Sequence, residues 1–274
     1  MKKSRLTIFT LQAAFVSILF LDVTSTILAQ PTTKLRPETI EAFNEYEKAL
    51  VEEFFTDIEK KEFPRFLLDE PESRMVVRSG EILIEKGERT PKIPGGIIHD
   101  WLGAMFIPDV KVSDVVQLLT DYDNHKEYYP EVEASSLLSR DGNTYRGFHR
   151  LRKKKVLTVV LNTTHEMTVY PTDDRFEYAL SFSKIIQEVK NPGSSDEHEL
   201  PVGEDSGFLW RMDAAWILEQ CDDGVMVELA TTSLSRDIPW GLGWMIRPFV
   251  ESTPREALED TLQATRIAVK QRVN

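Results

Sequence analysis

The chain has 274 residues, 41% of them hydrophobic, which suits one medium-sized domain with an extension and a core that removes roughly 70–75% of the unfolded surface from water. Its 45 Asp and Glu against 33 Lys and Arg give a net charge of −12, so it repels nucleic acid and anionic lipid head groups, and neither is expected as a partner. Cys221 is the single cysteine, which excludes an intrachain disulfide; beside the acidic turn Asp222-Asp223-Gly224 its thiol reads as a quiet residue near a hairpin.

Lys2, Lys3 and Arg5 precede an apolar run from Leu6 to Leu21, and Ile27-Leu28-Ala29 offers a small residue for cleavage before Gln30. Residues 1–29 therefore read as a signal peptide and the mature protein as secreted or periplasmic. The alternative, an uncleaved membrane anchor, is disfavoured by the Thr and Gln within the run and by Asp22 directly after it. No stable membrane insertion is expected after cleavage. Cleavage removes three basic residues and Asp22, leaving 30 Lys and Arg against 44 Asp and Glu, a net charge of −14.

Residues 30–90 form an extension. In it Ile40, Phe43, Tyr46, Leu50, Phe54 and Ile58 recur at helical spacing, while Glu41, Glu45, Glu52, Glu53 and Glu59 take other positions. Such an acidic amphipathic helix docks on protein more readily than on a membrane surface, where a basic polar face is expected. Pro64 and Pro71 then break the chain, and Met75–Arg78 and Glu81–Glu85 read as two short strands around Ser79-Gly80. The Gly- and Pro-containing loop from Gly87 to Gly96 marks a boundary, so residues 91–274 are taken as the main domain.

That domain opens on a strand, Ile97 to Ile107, followed by a helical insert. Ser113 is the expected N-cap, with Val115, Val116, Leu118, Leu119 and Tyr122 at helical spacing; a second short turn ends at Pro130, which forces Tyr129 out of the α region. Strands follow. Val132–Leu138 and Thr144–Arg152 flank Asp141-Gly142, a hairpin signal, and the second places Tyr145, Gly147, His149 and Leu151 on one face. Leu157 to Val169 and Arg175 to Ser183 alternate next. A polar linker from Asn191 to Ser206 leads to two further strands joined at Asp222-Asp223-Gly224, with Phe208, Trp210, Met212, Ala214, Trp216 and Leu218 on one face of the first. Thr253, Pro254 and Glu256 predict the start of a long closing helix, with Leu258, Leu262, Thr265 and Val269 facing the sheet.

Strand, two small helices, a run of antiparallel strands and a long closing helix is the order of an α+β helix-grip fold: a curved antiparallel sheet of about seven strands wrapped around a C-terminal helix, here with an N-terminal helical extension. Through Trp101–Pro108 with the helical insert, and through Tyr129-Pro130-Glu131-Val132, the chain resembles the START-like (SRPBCC) superfamily. Ile238-Pro239-Trp240 and the Thr253–Lys270 helix make it similar to the polyketide cyclase and coenzyme Q-binding branches. The resemblance covers residues 95–272. It implies a cavity between sheet and closing helix that relatives use for lipids, sterols, isoprenoids or polyketides, and so a small hydrophobic molecule as partner.

Trp210, Trp216, Phe176, Tyr178 and Leu262 are the expected lining residues, with His149 and His165 as polar anchors. Alternatively the same side chains meet and fill the space, leaving a packed structural or interaction module. No P-loop, G-x-G-x-x-G, G-x-S-x-G or H-E-x-x-H occurs, so no catalytic residue and no cofactor are expected; a cyclase- or hydrolase-like enzyme using pocket histidines is the rival reading. Asp121, Asp123 and Asn124 begin like a calcium loop, but Lys126 and Val132 stand where Gly and Glu are required, so no metal is expected. The insert is a topological marker, with Tyr128 and Tyr129 placed to shape a pocket entrance. Arg150, Arg152 and Lys153–Lys155 form the one basic cluster, read as a solvated face.

Overall fold

A computed structural model describes residues 32–59, 67–87, 90–154, 158–172, 175–238 and 243–273, so the expected signal peptide and the Pro239-Trp240 pair lie outside the described residues. In chain order the elements are β1 (Thr33–Lys34), α1 (Pro37–Glu59), α2 (Pro71–Arg78), β2 (Leu83–Lys86), β3 (Gly96–Pro108) and α3 (Val112–Leu119). After a 3-10 turn, Tyr122–Asn124, come α4 (His125–Tyr128), β4 (Val132–Asp141), β5 (Thr144–Lys154), β6 (Thr158–Pro171) and β7 (Phe176–Lys190). The chain closes with β8 (His198–Glu199), β9 (Glu204–Asp205), β10 (Arg211–Cys221), β11 (Gly224–Arg236) and α5 (Gly243–Val273).

Nine strands form one antiparallel sheet in the order β2-β3-β11-β10-β7-β6-β5-β4, with β8 pairing to β7 off that path. This is the helix-grip arrangement. The sheet exceeds the expected seven strands because the extension contributes β2 and the polar linker contributes β8. Tight hairpins hold the meander in register: Asp222 and Asp223 alone separate Cys221 from its partner Gly224, and Gly142 adopts the positive φ of 56° that its turn needs.

Cross-strand partners share a face, so register sorts every side chain. The chain Met167–Ser181–Ala214–Thr231–Trp101, with its neighbours Val169–Ala179–Trp216–Leu229–Gly103, looks inward to α5. Gly103 is needed there: a Cβ would meet Leu262 Cδ1 at 2.6 Å, so only glycine lets α5 approach β3 this closely. Around Gly103 gather Met105, Trp216, Leu218, Leu229, Leu258, Leu262 and Val269 in the main core.

The outer face is also covered. Phe54 of α1 packs with Tyr178, Leu180 and Ile217, and Val77 of α2 packs with Leu67, Leu68, Ala104, Phe106 and Met226. A carboxylate clamps this layer: buried Glu228, on the outer side of β11, accepts from the backbone N–H groups of Leu67 and Leu68 at 2.6 and 2.7 Å. Glu219 next to it, also buried, accepts from Arg74 at 2.9 Å and Arg175 at 2.7 Å. Charged residues on an outward strand face therefore serve as docking points for the extension.

Three local expectations change. Met75–Arg78 is helical, because Pro71 begins α2 at the first position, where its missing N–H leaves no bond unmade. Lys111, not Ser113, precedes α3, and the Asp114 carboxylate accepts from the Lys111 N–H at 2.8 Å. The closing helix starts at Gly243, ten residues before Thr253, and places Pro254 in its interior, where the Val250 carbonyl loses its usual donor.

Glu228→Ala leaves two buried amides without an acceptor and should cost about 2–5 kcal/mol. Chemical denaturation should show that loss, and amide exchange should accelerate first at Leu67 and Leu68.

Candidate functional site

Where the helical insert meets the middle of β5 and β6 on the inner face of the sheet, three histidines come together. His149 and His165 lie on neighbouring strands, their rings 5.7 Å apart, and His125 arrives from the start of α4, its Nδ1 2.8 Å from His149 Nε2. Gly147 makes room for the insert: the Tyr122 ring lies flat on it, in the volume a Cβ would need, and stacks on His149 at 5.3 Å. The Tyr122 hydroxyl hydrogen-bonds Ser181, and the Tyr129 hydroxyl lies 3.1 Å from Thr265 Oγ1 on α5. Apolar residues of the main core surround this polar patch.

Hydrogen-bond partners dictate the tautomers. His125 Nε2 lies 3.0 Å from the Leu118 carbonyl, which can only accept, so that nitrogen carries the proton and the neutral ring accepts at Nδ1. His149 therefore donates through Nε2, and its own Nδ1 is left as an acceptor. Thr163 donates to the His149 carbonyl at 3.3 Å, so its oxygen accepts from His165 Nε2 at 2.9 Å. His165 Nδ1 is then an acceptor as well. The cluster thus offers two imidazole lone pairs.

Neutrality follows from burial. His125 and His165 are 4% and 3% exposed. Desolvation pulls His165 down to about 4, helped by the nearby His125 ring, and holds His149 well below 6.5, helped by both neighbours. Burial likewise lowers His125 and pushes the Tyr129 phenol up to about 12. Among the described residues no group of three or more His, Cys, Asp or Glu side chains is arranged to hold a metal ion.

The expected lining residues divide among three places. Trp216 and Leu262 join the main core on the inner face, the side that also carries His149 and His165. Tyr178 and Phe176 belong to the outer face: Tyr178 pairs with Ile217 and packs on Phe54, and Phe176 lies beneath the Arg175 guanidinium. Trp210 precedes β10 and is held in another cluster with Phe43, Ile98 and Leu234, its indole N–H donating to buried Asp205 at 2.9 Å. His99 is remote from the cluster in the chain pairing, 2.8 Å from Ser235 Oγ.

His125 is the member the strand pattern does not reveal, since it sits in a helical turn. The available signal was Gly147 between two inward positions of a strand, a gap that a ring from elsewhere must fill. Tyr129 meets α5 through Thr265, while Tyr128 lies at the surface beside Arg272 and Asp121. Three members of the basic cluster are paired, while Lys155 lies outside the described residues: Arg150 bonds Glu133 and Glu197, Arg152 bonds Glu133, and Lys153 bonds Glu131 and approaches Asp260 at 3.5 Å. Cys221 is partly buried, and burial followed by the Glu219 carboxylate pushes its thiol pKa up.

No family model matches the chain, and no curated protein matches it. Among solved structures it is similar to a STAR-related lipid transfer protein from Xanthomonas axonopodis, at 18% identity over 68% of this chain and 98% of that one, with a TM-score of 0.46. It is also similar to the Zhui aromatase/cyclase from Streptomyces sp. R1128 (12% identity, 65% and 96% covered, TM-score 0.44) and to human STARD10 (14% identity, 72% and 80% covered, TM-score 0.41). These structural neighbours are START/SRPBCC proteins. The helix-grip architecture itself rests on this chain's own strand order and closing helix.

A histidine whose folded pKa is depressed stabilises the fold fully above its unfolded value of about 6.5, and that contribution is lost as pH falls toward the folded value. For His165, at about 4, the loss is on the order of 3 kcal/mol. Buried Asp213, raised to about 7, works in the opposite direction, so the informative quantity is a difference. Between about pH 7 and pH 4.5, His165→Gln should lose less stability in urea than the parent protein, by about 2 kcal/mol.

Proposed function

We propose that this is an exported START-like protein that holds a small hydrophobic molecule between the inner face of the sheet and α5, without catalysis. The observation that carries the reading is the pair of imidazole acceptors, His149 Nδ1 and His165 Nδ1, set among apolar side chains on that face. Ligand pockets combine mostly apolar walls with a few fixed polar groups. Two lone pairs call for a donor on the ligand, so a lipid, isoprenoid or polyketide-like molecule bearing a hydroxyl or phenol fits better than a pure hydrocarbon.

The His125–His149 contact also favours a second reading, a cyclase- or hydrolase-like enzyme in which His149 Nδ1 takes a proton from substrate. Burial weakens His149 as a base by holding its pKa well below 6.5, which is why noncatalytic binding is preferred. Membrane insertion does not enter the proposal: among the described residues no helix is long and apolar enough to cross a membrane.

Native mass spectrometry of protein purified from its own compartment should show a copurifying hydrophobic mass, and His149→Ala should weaken its retention about tenfold, the worth of one polar anchor. No bound mass together with a filled inner face would overturn the proposal in favour of a packed module. Turnover of a polyketide or ester that disappears in both His149→Ala and His165→Ala would establish the enzyme instead.

A further inference from the structure

A cleft of about 390 Å³ lies on the outer face of the sheet, roofed by α1 and floored by β3, β7, β10 and β11. Its volume falls within the size range of small-molecule sites. Leu50 and Phe54 of α1 face Leu102, Leu180, Phe182 and Ala215 of the sheet across it. The charged lining is of one sign: Glu47, Glu53, Asp57, Asp100 and Asp213 all border the cleft, and no Lys, Arg or His does among the described residues.

Asp213 stands apart from the other four. It is 7% exposed, and its Oδ1 accepts from the Ser183 backbone N–H at 3.0 Å, but its buried Oδ2 has no partner. Asp100, by contrast, accepts from the Tyr46 hydroxyl at 2.8 Å. Glu47 on α1 repels the Asp213 charge and adds to the desolvation that already disfavours it. Arg211 partly offsets that repulsion at Asp213, and Lys184 and Arg211 both favour the charged form of Glu47, yet Lys184 pairs with Glu166 at 3.2 Å and Arg211 donates to the Trp210 carbonyl at 2.7 Å. A buried carboxylate whose Oδ2 has no donor, beside an apolar cleft whose charged lining is acidic among the described residues, favours a cation with an apolar body.

We propose that this cleft binds an apolar molecule carrying one protonated amine, with the Asp213 carboxylate as its counter-ion. The site is separate from the space beneath α5 and stands or falls independently of it. Binding selects ionised Asp213, whose pKa is raised to about 7, so affinity rises as pH increases through that value, with Glu47, Glu53, Asp57, Asp100, Tyr46, Lys184 and Arg211 as the other titratable or charged groups acting on the cleft.

Tryptamine and tryptophol share an indole-ethyl body and differ in ammonium against hydroxyl, which makes them suitable probes for calorimetric titration of the full chain. Tryptamine should bind at least tenfold more tightly. Asp213→Asn, whose amide oxygen still accepts from Ser183, should abolish that preference, and Ala215→Phe, which fills the cleft from its floor without touching a charge, should abolish binding of both probes there. Equal binding of the two probes, no tryptamine binding, or a preference that survives either substitution would overturn the proposal. Should Asp213→Asn fail to fold, the contrast between the probes and its loss in Ala215→Phe decide the matter.

Discussion

Glu228 receives the amides of both Leu67 and Leu68 on the outer face of β11, and the seating of α2 and β2 follows from that contact. A buried carboxylate is tolerated only when its charge is met by donors, so the 67–68 segment has little freedom to leave. Once it is seated, α2 brings Val77 onto Ala104, Phe106 and Met226, and Arg74 reaches buried Glu219 on the adjacent strand. β2 follows directly and pairs with β3, adding a strand to the sheet. The extension is therefore a third layer on a fold whose sheet already has α5 on its other side.

Two glycines set the inner face. Gly103 admits Leu262 and Leu258 of α5 against β3, and Gly147 admits the Tyr122 ring against β5. The second contact shapes the chemistry. With Tyr122 seated, the short α4 delivers His125 within hydrogen-bond distance of His149, and the hydrogen bonds that run from the accepting Leu118 carbonyl to Thr163 leave two neutral imidazole nitrogens as acceptors. Burial keeps the rings uncharged, which suits holding a hydroxyl more than supplying a proton at neutral pH. The two faces thus differ in kind: the inner one offers neutral acceptors, the outer one concentrates carboxylates.

Much of the fold was legible from pattern alone. The spacing from Ile40 to Ile58 gives α1, Pro130 ends the insert with Tyr129 extended, and the Asp-Gly pairs at Asp141-Gly142 and Asp223-Gly224 set two hairpins within a residue or two. These depend on backbone sterics and hydrophobic period, which act locally. Legibility failed where a local cue has two meanings. Pro71 starts a helix as readily as it breaks a chain, and Thr253-Pro254 imitates a helix start that continuous helix from Gly243 overrides. Of the side chains expected around one cavity, Tyr178 and Phe176 face outward because β7 pairs so that odd-numbered Ala179 and Ser181 face inward.

The sequence by itself determined most of the strands, helices and turns of the main domain, that a long amphipathic helix packs against its sheet, and that strand histidines are the candidate polar groups of an otherwise apolar face. Those are consequences of side-chain period, turn chemistry and charge. Tertiary structure alone decided that His125 joins His149 and His165, that acids on outward strand positions lie beneath a helical layer, and that Asp213 is left with an unpartnered oxygen. The reason is physical: residues 24 positions apart in sequence meet only because Tyr122 fits over Gly147, and an acid's environment depends on which distant segment covers it.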